Sequence, residues 1–213
     1  GGVGVRAAWS GRARTEGRIS TSPRLSPTPL VSLSFTVANS PYLKSAKLVV
    51  ASTTQPALGA DVKELDLTLE QVNADIVRVK IGAPGRWEVP PSIFKNTVPP
   101  TAADRAASPA LDVDVTYSPF SLAVKRTAGK SDAAPLFDTA GTRFVFKDQY
   151  IEVSTAIPAG SRLYGLGEAT SPTGIRIQPD GRPHTMWNHD SPAAWPGPNM
   201  YGSWPILLEV RPD

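Results

Sequence analysis

Short stretches in which apolar and polar residues alternate recur along this chain, and they limit the folds that it can adopt. Leu65, Leu67 and Leu69 are each separated by one polar residue, and the stretch Leu111–Tyr117 alternates in the same way. A period of two places every second side chain on one face of an extended chain, which is typical of a half-buried β-strand. A helix over residues 65–74 would need apolar residues every three to four positions. The sequence therefore predicts strands at both places.

Further apolar stretches predict more short strands. The chain contains 22 proline residues, and because proline disrupts helix interiors, long helices have little room. The pair Ser118-Pro119 between two such stretches predicts a hairpin turn. The other predicted strands cover residues 31–37, 47–51, 76–81, 120–124, 144–146, 150–153 and 204–210. Many short strands separated by turns predict an all-β sandwich or barrel.

The N-terminal segment differs from the rest in composition and charge. Residues 8–30 are rich in Ser, Thr, Arg, Pro and Gly, which predicts disorder because little apolar area is available for burial. Residues 1–47 hold seven basic residues against Glu16, a balance of +6, so the remainder of the chain carries −3 of the net +3. We interpret this charge as a solvated arm rather than a nucleic-acid surface. The expected organisation is a partly disordered arm at 1–45 and a β-sandwich at 46–213.

Several classes of site and partner are excluded or disfavoured by composition. Cysteine is absent, so disulfides and cysteine-based metal sites are excluded. His184 and His189 are the only histidines, and they lack the spacing of a zinc site. No phosphate-binding loop, dinucleotide fingerprint or G-x-S-x-G motif occurs, and no run approaches the ~20 apolar residues of a membrane span. We therefore expect no metal, no cofactor, no nucleic-acid partner and no membrane association.

The segment from residue 161 to residue 206 carries most of the functional information. Two clusters that combine glycine with aromatic residues, LYGLGE (163–168) and NMYGSWP (199–205), flank Trp187, Asn188 and Asp190. An aromatic ring can stack on the apolar face of a pyranose, while carboxylate and amide groups hydrogen-bond its hydroxyls. These three residues are therefore candidates for binding a sugar.

The order of these motifs resembles the N-terminal β-sandwich of family 31 glycoside hydrolases, the α-glucosidase and α-xylosidase group. In that family, YGLGE is followed by a W-x-x-D loop and then by N-x-Y-G-S-x-P. Three upstream segments match plant-type α-glucosidases in the same order: GRWEVPPSIF (85–94), LFDT (136–139) and FKDQYIEVSTAIP (146–158). Residues 7–45 match nothing in the family pattern.

The resemblance implies a galactose-mutarotase-like super-sandwich that precedes a catalytic (β/α)8 barrel. In the family, the aspartate of the W-x-x-D loop hydrogen-bonds sugar hydroxyls near the leaving-group side of the cleft, and its match here is Asp190, with Trp187 and Asn188 beside it. From the residues alone, Asp-Ser-Pro is also a common turn in which the aspartate caps the backbone. The resemblance further implies a structural role for LYGLGE, and a buried aromatic entry into the last strand for Tyr201–Trp204.

The catalytic residues implied by the resemblance are missing from this sequence. Family 31 enzymes are retaining glycosidases that use an aspartate nucleophile and an aspartate acid/base. Both lie in the barrel, in motifs of the W-x-D-M-N type, which do not occur here. We therefore expect no catalytic residue in this chain, and a barrel partner in cis or as a separate chain. The resemblance implies the cleft domain of a secreted or vacuolar α-glucosidase that acts on maltose, malto-oligosaccharides or starch fragments.

Several alternatives stay open from the sequence. The chain could be the same domain of an α-xylosidase or of a trimming glucosidase. It could also be a stand-alone carbohydrate-binding or scaffold sandwich, or a truncated product without a function of its own. A free-standing mutarotase would need a histidine beside a carboxylate. His189 does precede Asp190, but the motif order fits the α-glucosidase pattern far better.

Overall fold

The computed structural model describes residues 4–8, 30–40, 43–50, 59–90, 92–93, 109–117, 119–128, 134–171, 174–178, 180, 183–190 and 199–212. Every regular element in these ranges is a β-strand, which confirms the predicted all-β class. The described residues form two compact units, one up to Ala156 and one from Ile157 onwards. Within the described ranges, no helix has the length and hydropathy that a bilayer crossing would require.

The largest sheet of the first unit has four antiparallel strands, each paired with its neighbour in sequence. They are β2 (Leu30–Ser40), β3 (Leu43–Val50), β4 (Glu64–Asn73) and β5 (Ile76–Gly82), counted from a first strand β1 (Gly4–Ala8). Between β4 and β5, the amide of Asp75 donates to Asn73 Oδ1 over 2.9 Å. Such a bond from an asparagine side chain stabilises a tight turn.

Two three-stranded sheets complete the first unit. One consists of β6 (Leu111–Tyr117), β7 (Phe120–Arg126) and β8 (Phe137–Asp138). The predicted hairpin is confirmed, because Tyr117 pairs directly with Phe120. In the other sheet, β10 (Tyr150–Ser154) lies between β9 (Phe144–Phe146) and β1. Strand β1 runs parallel to β10, whereas β9 is antiparallel to it.

Strands β1 and β2 lie within the segment that composition predicts to be an arm. Strand β1 pairs with β10, and β2 pairs with β3. Residues 9–29, most of the stretch predicted to be disordered, lie outside the described residues. The boundary at residue 45 therefore stays a prediction.

One cluster of buried apolar side chains forms the core of the first unit. Leu48, Leu65 and Leu67 are at most 2% exposed, and Leu48 lies opposite Leu65 in the β3–β4 pair. Leu122 from β7 and Phe146 from β9 belong to the same cluster. Side chains from all three sheets meet in this cluster, so the apolar residues of the alternating stretches share one interior.

The upstream segments that carry the family resemblance contact one another. The Arg86 guanidinium donates to the carbonyl oxygens of Lys147 (2.8 Å) and Asp148 (2.6 Å) and lies 5.1 Å from the centre of the Phe146 ring. A guanidinium suits this place because it can donate several hydrogen bonds and stack on a ring at the same time. This contact gives the RWE and FKDQY segments a shared structural role.

The second unit contains a small antiparallel sheet with the order β12-β11-β13. Its strands are β11 (Arg162–Gly165), β12 (Arg176–Ile177) and β13 (Leu207–Val210). The last strand begins three residues later than the predicted start at Trp204. Pro205 explains part of this difference, since proline has no N–H to donate to a ladder. Leu163, on the central strand, is buried.

Replacing Leu65 by alanine should lower the free energy of unfolding by about 2–5 kcal/mol, because Leu65 is fully buried and the substitution leaves a cavity. Urea denaturation of the variant and the parent chain measures this. Ile76→Ala is the matched control, since Ile76 is 51% exposed on the adjacent strand β5. It should cost less than about 1 kcal/mol. Equal losses for both variants would contradict the described core.

Candidate sugar-binding site

The two glycine-aromatic motifs lie side by side, although the bonded residues Glu168 and Gly202 are 34 positions apart in the sequence. Strand β11 pairs with β13 in the register Gly165 to Leu207. Beyond that pair, backbone hydrogen bonds of 2.8–3.0 Å continue the contact: Leu166 N to Ile206 O, Trp204 N to Gly167 O, Glu168 N to Gly202 O and Met200 N to Glu168 O. The backbone of LYGLGE therefore holds the backbone of NMYGSWP.

Gly165 and Gly202 allow this close approach. Gly165 has a φ of 123°, a conformation that residues with a Cβ rarely adopt, and a Cβ there would overlap the carbonyl oxygen of Ile206. A Cβ at Gly202 would overlap the indole nitrogen of Trp204 and lie 3.2 Å from Glu168 Oε2. Glycine at position 165 therefore permits an approach of the two backbones that a residue with a Cβ would prevent.

Glu168 contacts the opposite motif with both its backbone and its side chain. Its amide and carbonyl groups bond to Gly202 and Met200, and its Oε2 accepts a hydrogen bond of 3.0 Å from the Gly202 amide. A carboxylate that accepts a backbone N–H fixes the position of that backbone. These contacts support the structural role predicted for this segment.

The loop that holds the three candidate residues lies against the same motif. We call residues 187–190 the WNHD loop. The amide of His189 donates to Met200 O over 2.9 Å. Trp187, Asn188 and Asp190 are all exposed, with Trp187 at 63%. The structure therefore brings the candidate sugar-binding residues together on a surface loop.

Among the described residues of this region, Asn199 is a buried polar residue for which the sequence predicted no role. It is 3% exposed, and its Nδ2 donates to Gly202 O (2.6 Å) and to Ser203 Oγ (2.8 Å). Asn188 Oδ1 accepts a hydrogen bond from Ser203 Oγ and lies 3.5 Å from Asn199 Nδ2. The only sequence signal for this role is its first place in the N-x-Y-G-S-x-P motif.

The prediction of a buried aromatic entry at Tyr201–Trp204 is wrong. Tyr201 is 64% exposed and Trp204 is 60% exposed. The physical reason is that backbone groups hold this segment, so the rings do not have to be buried to fix it. The amides of Gly202 and Trp204 are both hydrogen-bonded, to Glu168 and Gly167 respectively.

Asp190 accepts a hydrogen bond from a residue of the opposite motif. The Tyr201 hydroxyl donates to Asp190 Oδ1 over 2.6 Å. This hydrogen bond, and then the negative charge of Asp190, raise the pKa of the Tyr201 phenol above its usual value. The phenol therefore stays protonated, and so remains a donor, throughout the neutral pH range. No described residue donates to Asp190 Oδ2, so this oxygen can accept a hydroxyl from a ligand.

The chemistry available at this surface is that of binding. It presents a carboxylate oxygen, an amide and an exposed indole, which can accept and donate hydrogen bonds and stack on a sugar ring. Across the described parts of the chain, no three His, Asp or Glu side chains are grouped closely enough to hold a metal ion.

Comparison with known proteins gives consistent matches. The model of the glycosyl hydrolase 31 N-terminal galactose mutarotase-like domain matches residues 66–213. The chain is 36% identical to an alpha-glucosidase of Hordeum vulgare over an alignment of 200 positions, which covers 80% of this chain and 22% of the relative. It is 31% identical to a probable alpha/beta-glucosidase of Arthroderma benhamiae over 177 residues (82% and 20%). It is 32% identical to alpha-xylosidase 1 of Arabidopsis thaliana over 168 residues (72% and 18%). The chain thus spans about a fifth of the length of these relatives.

Gly165→Ala should destabilise the second unit by roughly 2–3 kcal/mol, because the new methyl group meets a backbone carbonyl at an unfavourable φ. Gly174→Ala separates these two causes, since Gly174 also has a positive φ, of 65°, but its Cβ would meet no atom within 4 Å. It should cost about 1 kcal/mol. Urea denaturation followed by tryptophan fluorescence measures both. If the Gly165 variant loses no more free energy of unfolding than the Gly174 variant, the close approach of Gly165 to the Ile206 carbonyl is absent.

Proposed function

Because the chain belongs to the glycosyl hydrolase 31 N-terminal galactose mutarotase-like family, we propose that it forms one wall of the substrate cleft of an α-glucosidase. The substrates proposed are α-linked glucosides such as maltose, malto-oligosaccharides and starch fragments. The observation that carries this proposal is the WNHD loop, in which Asp190 and Trp187 are both exposed while hydrogen bonds to residues 199–203 hold the loop.

The proposed contribution of the loop is to bind and position the leaving-group sugar. Asp190 Oδ2 accepts a sugar hydroxyl, and the amide of Asn188 can donate a second hydrogen bond. The exposed ring of Trp187 provides an apolar face for a further glucose unit. Holding the substrate in this way raises the rate by lowering the entropic cost of reaching the reactive geometry.

We further propose that the bond-breaking chemistry comes from a (β/α)8 barrel, in the same polypeptide or in a separate chain. A retaining glycosidase needs two carboxyl groups about 5–5.5 Å apart, and the motif that would supply them is missing from this sequence. The relatives are about five times longer than the matched segment, which leaves room for such a domain. By the same family relationship, we propose a secreted or vacuolar location.

A second candidate is the corresponding domain of an α-xylosidase. The match to the Arabidopsis alpha-xylosidase 1 favours it. A xylosyl unit lacks the hydroxymethyl group of glucose, so the choice between the two sugars falls to the pocket for the cleaved unit. The leaving-group contacts of Asp190 would be the same in both cases. Comparing hydrolysis of aryl α-glucosides and aryl α-xylosides by the complete enzyme distinguishes them.

The 213-residue chain alone should show no hydrolysis of an aryl α-glucoside above the buffer rate, since it lacks the catalytic carboxylates. The same chain together with its barrel should hydrolyse the substrate. The measurement is release of the coloured aryl product by repurified protein. Turnover that co-purifies with the folded 213-residue chain would contradict the assignment of catalysis to a separate domain.

Asp190→Ala in the complete enzyme should lower kcat/KM for maltose roughly 10- to 150-fold. This range corresponds to the loss of a charge-assisted hydrogen bond, about 1.5–3 kcal/mol. Stability should change little, because Asp190 is exposed. Steady-state kinetics and thermal denaturation of one preparation measure both effects.

Two controls accompany the Asp190 variant. Asp148→Ala removes another exposed carboxylate, outside the WNHD loop, and should leave kcat/KM unchanged. Trp187→Ala should affect longer malto-oligosaccharides more than a small aryl glucoside, because a stacking ring acts on an additional sugar unit. If Asp190→Ala costs about 1 kcal/mol of stability while maltose kinetics stay the same, Asp190 is a turn residue and the substrate role is wrong.

A further inference from the structure

The hydroxyl of Tyr201 is the described hydrogen-bond partner of the candidate substrate carboxylate. It lies 2.6 Å from Asp190 Oδ1 and comes from a residue 11 positions further along the chain. Both side chains are exposed, so burial does not force this contact. A carboxylate on a surface loop would otherwise sample several rotamers, and ordering it when a substrate binds would cost side-chain entropy.

The backbone residues on either side of Tyr201 are hydrogen-bonded to residues that are distant in the sequence. Met200 bonds through its amide to Glu168 and through its carbonyl to His189, and Gly202 bonds to Glu168 in both directions. The buried side chain of Asn199 holds the carbonyl of Gly202 as well. The phenol is therefore attached to a backbone that is hydrogen-bonded on both sides of it.

We propose that Tyr201 is a positioning residue: its hydroxyl holds Oδ1 of Asp190 and thereby directs Oδ2 towards a hydroxyl of the leaving-group sugar. This inference rests on the substrate role of Asp190 given under the proposed function. It adds a residue that does not act on the bond being broken. Tyr201 acts by having the carboxylate in place before the sugar arrives.

The division of work between the two carboxylate oxygens follows from their hydrogen-bonding capacity. An ionised carboxylate only accepts, and each oxygen can take about two donors. The phenol occupies one position at Oδ1, while no described residue donates to Oδ2. A sugar hydroxyl that meets Oδ2 therefore finds an acceptor whose rotamer is already fixed, and the binding energy is not spent on ordering the side chain.

The test compares two substrates in the complete enzyme. The leaving group of maltose is a glucose with hydroxyls that Asp190 can bind. The leaving group of α-glucosyl fluoride is a fluoride ion, which has no hydroxyl. Tyr201→Phe removes only the hydroxyl. It should lower kcat/KM for maltose about 3- to 10-fold, as expected for the loss of one hydrogen bond. The kcat/KM for α-glucosyl fluoride should stay within about 2-fold of the parent value. The melting temperature should not change. Tyr164→Phe, on strand β11, is the matched control and should leave kcat/KM unchanged for both substrates.

A double-mutant cycle separates this inference from the proposed function. In the Asp190→Ala background, Tyr201→Phe should have no further effect on maltose, because the hydroxyl then has no carboxylate to position. If Asp190→Ala lowers maltose kinetics but Tyr201→Phe does not, the positioning role is overturned and the substrate role of Asp190 stands. If Tyr201→Phe lowers kcat/KM equally for both substrates, or lowers the melting temperature, the phenol is structural and the inference is wrong. If Asp190→Ala leaves maltose kinetics unchanged, the proposed function falls and the positioning role falls with it.

Discussion

The backbone pairing between the end of β11 and the segment before β13 is the interaction on which the candidate site depends. It begins as a ladder at Gly165 and Leu207 and continues through Glu168 and Gly202 as separate hydrogen bonds. The WNHD loop contacts this paired segment through the His189 amide. If the two motifs separated, the loop would lose its described backbone contact and the side-chain hydrogen bonds that join Asn188 to Ser203 and Asp190 to Tyr201.

This dependence explains why glycine and asparagine, rather than large apolar residues, define the region. Gly165 lets two backbones approach to a distance that no Cβ permits. Asn199 Nδ2 gives the carbonyl of Gly202 a second donor beside the Glu168 amide, and it also donates to Ser203 Oγ. With the segment held by its backbone, the rings of Tyr201 and Trp204 can stay exposed. A surface with exposed rings and an oriented carboxylate is suited to binding a sugar and requires little apolar burial.

The first unit is stabilised in a different way. Its interior is a leucine-rich core to which three sheets contribute, and apolar burial of this kind is the main source of stability in a domain. Ion pairs on its strands, such as Lys47 with Asp66 and Lys125 with Asp114, join side chains that are about half exposed. Solvent screening makes such pairs worth little. Lys147 is different, since its buried ammonium lies 2.5 Å from Asp61 Oδ1, and removing either partner would leave a charge without compensation.

The sequence by itself determined the strands whose pattern is local. The alternation at Leu65–Leu69 and the turn between Tyr117 and Phe120 need only a period of two and a proline, so both could be predicted. The order of the motifs determined the family, and with it the expectation that Trp187, Asn188 and Asp190 bind a substrate. Tertiary structure decided which distant segments meet: the parallel pairing of β1 with β10, the burial of Asn199 and the hydrogen bond from Tyr201 to Asp190. Neither periodicity nor composition records such contacts, because their energy depends on residues that are brought together only when the chain has folded.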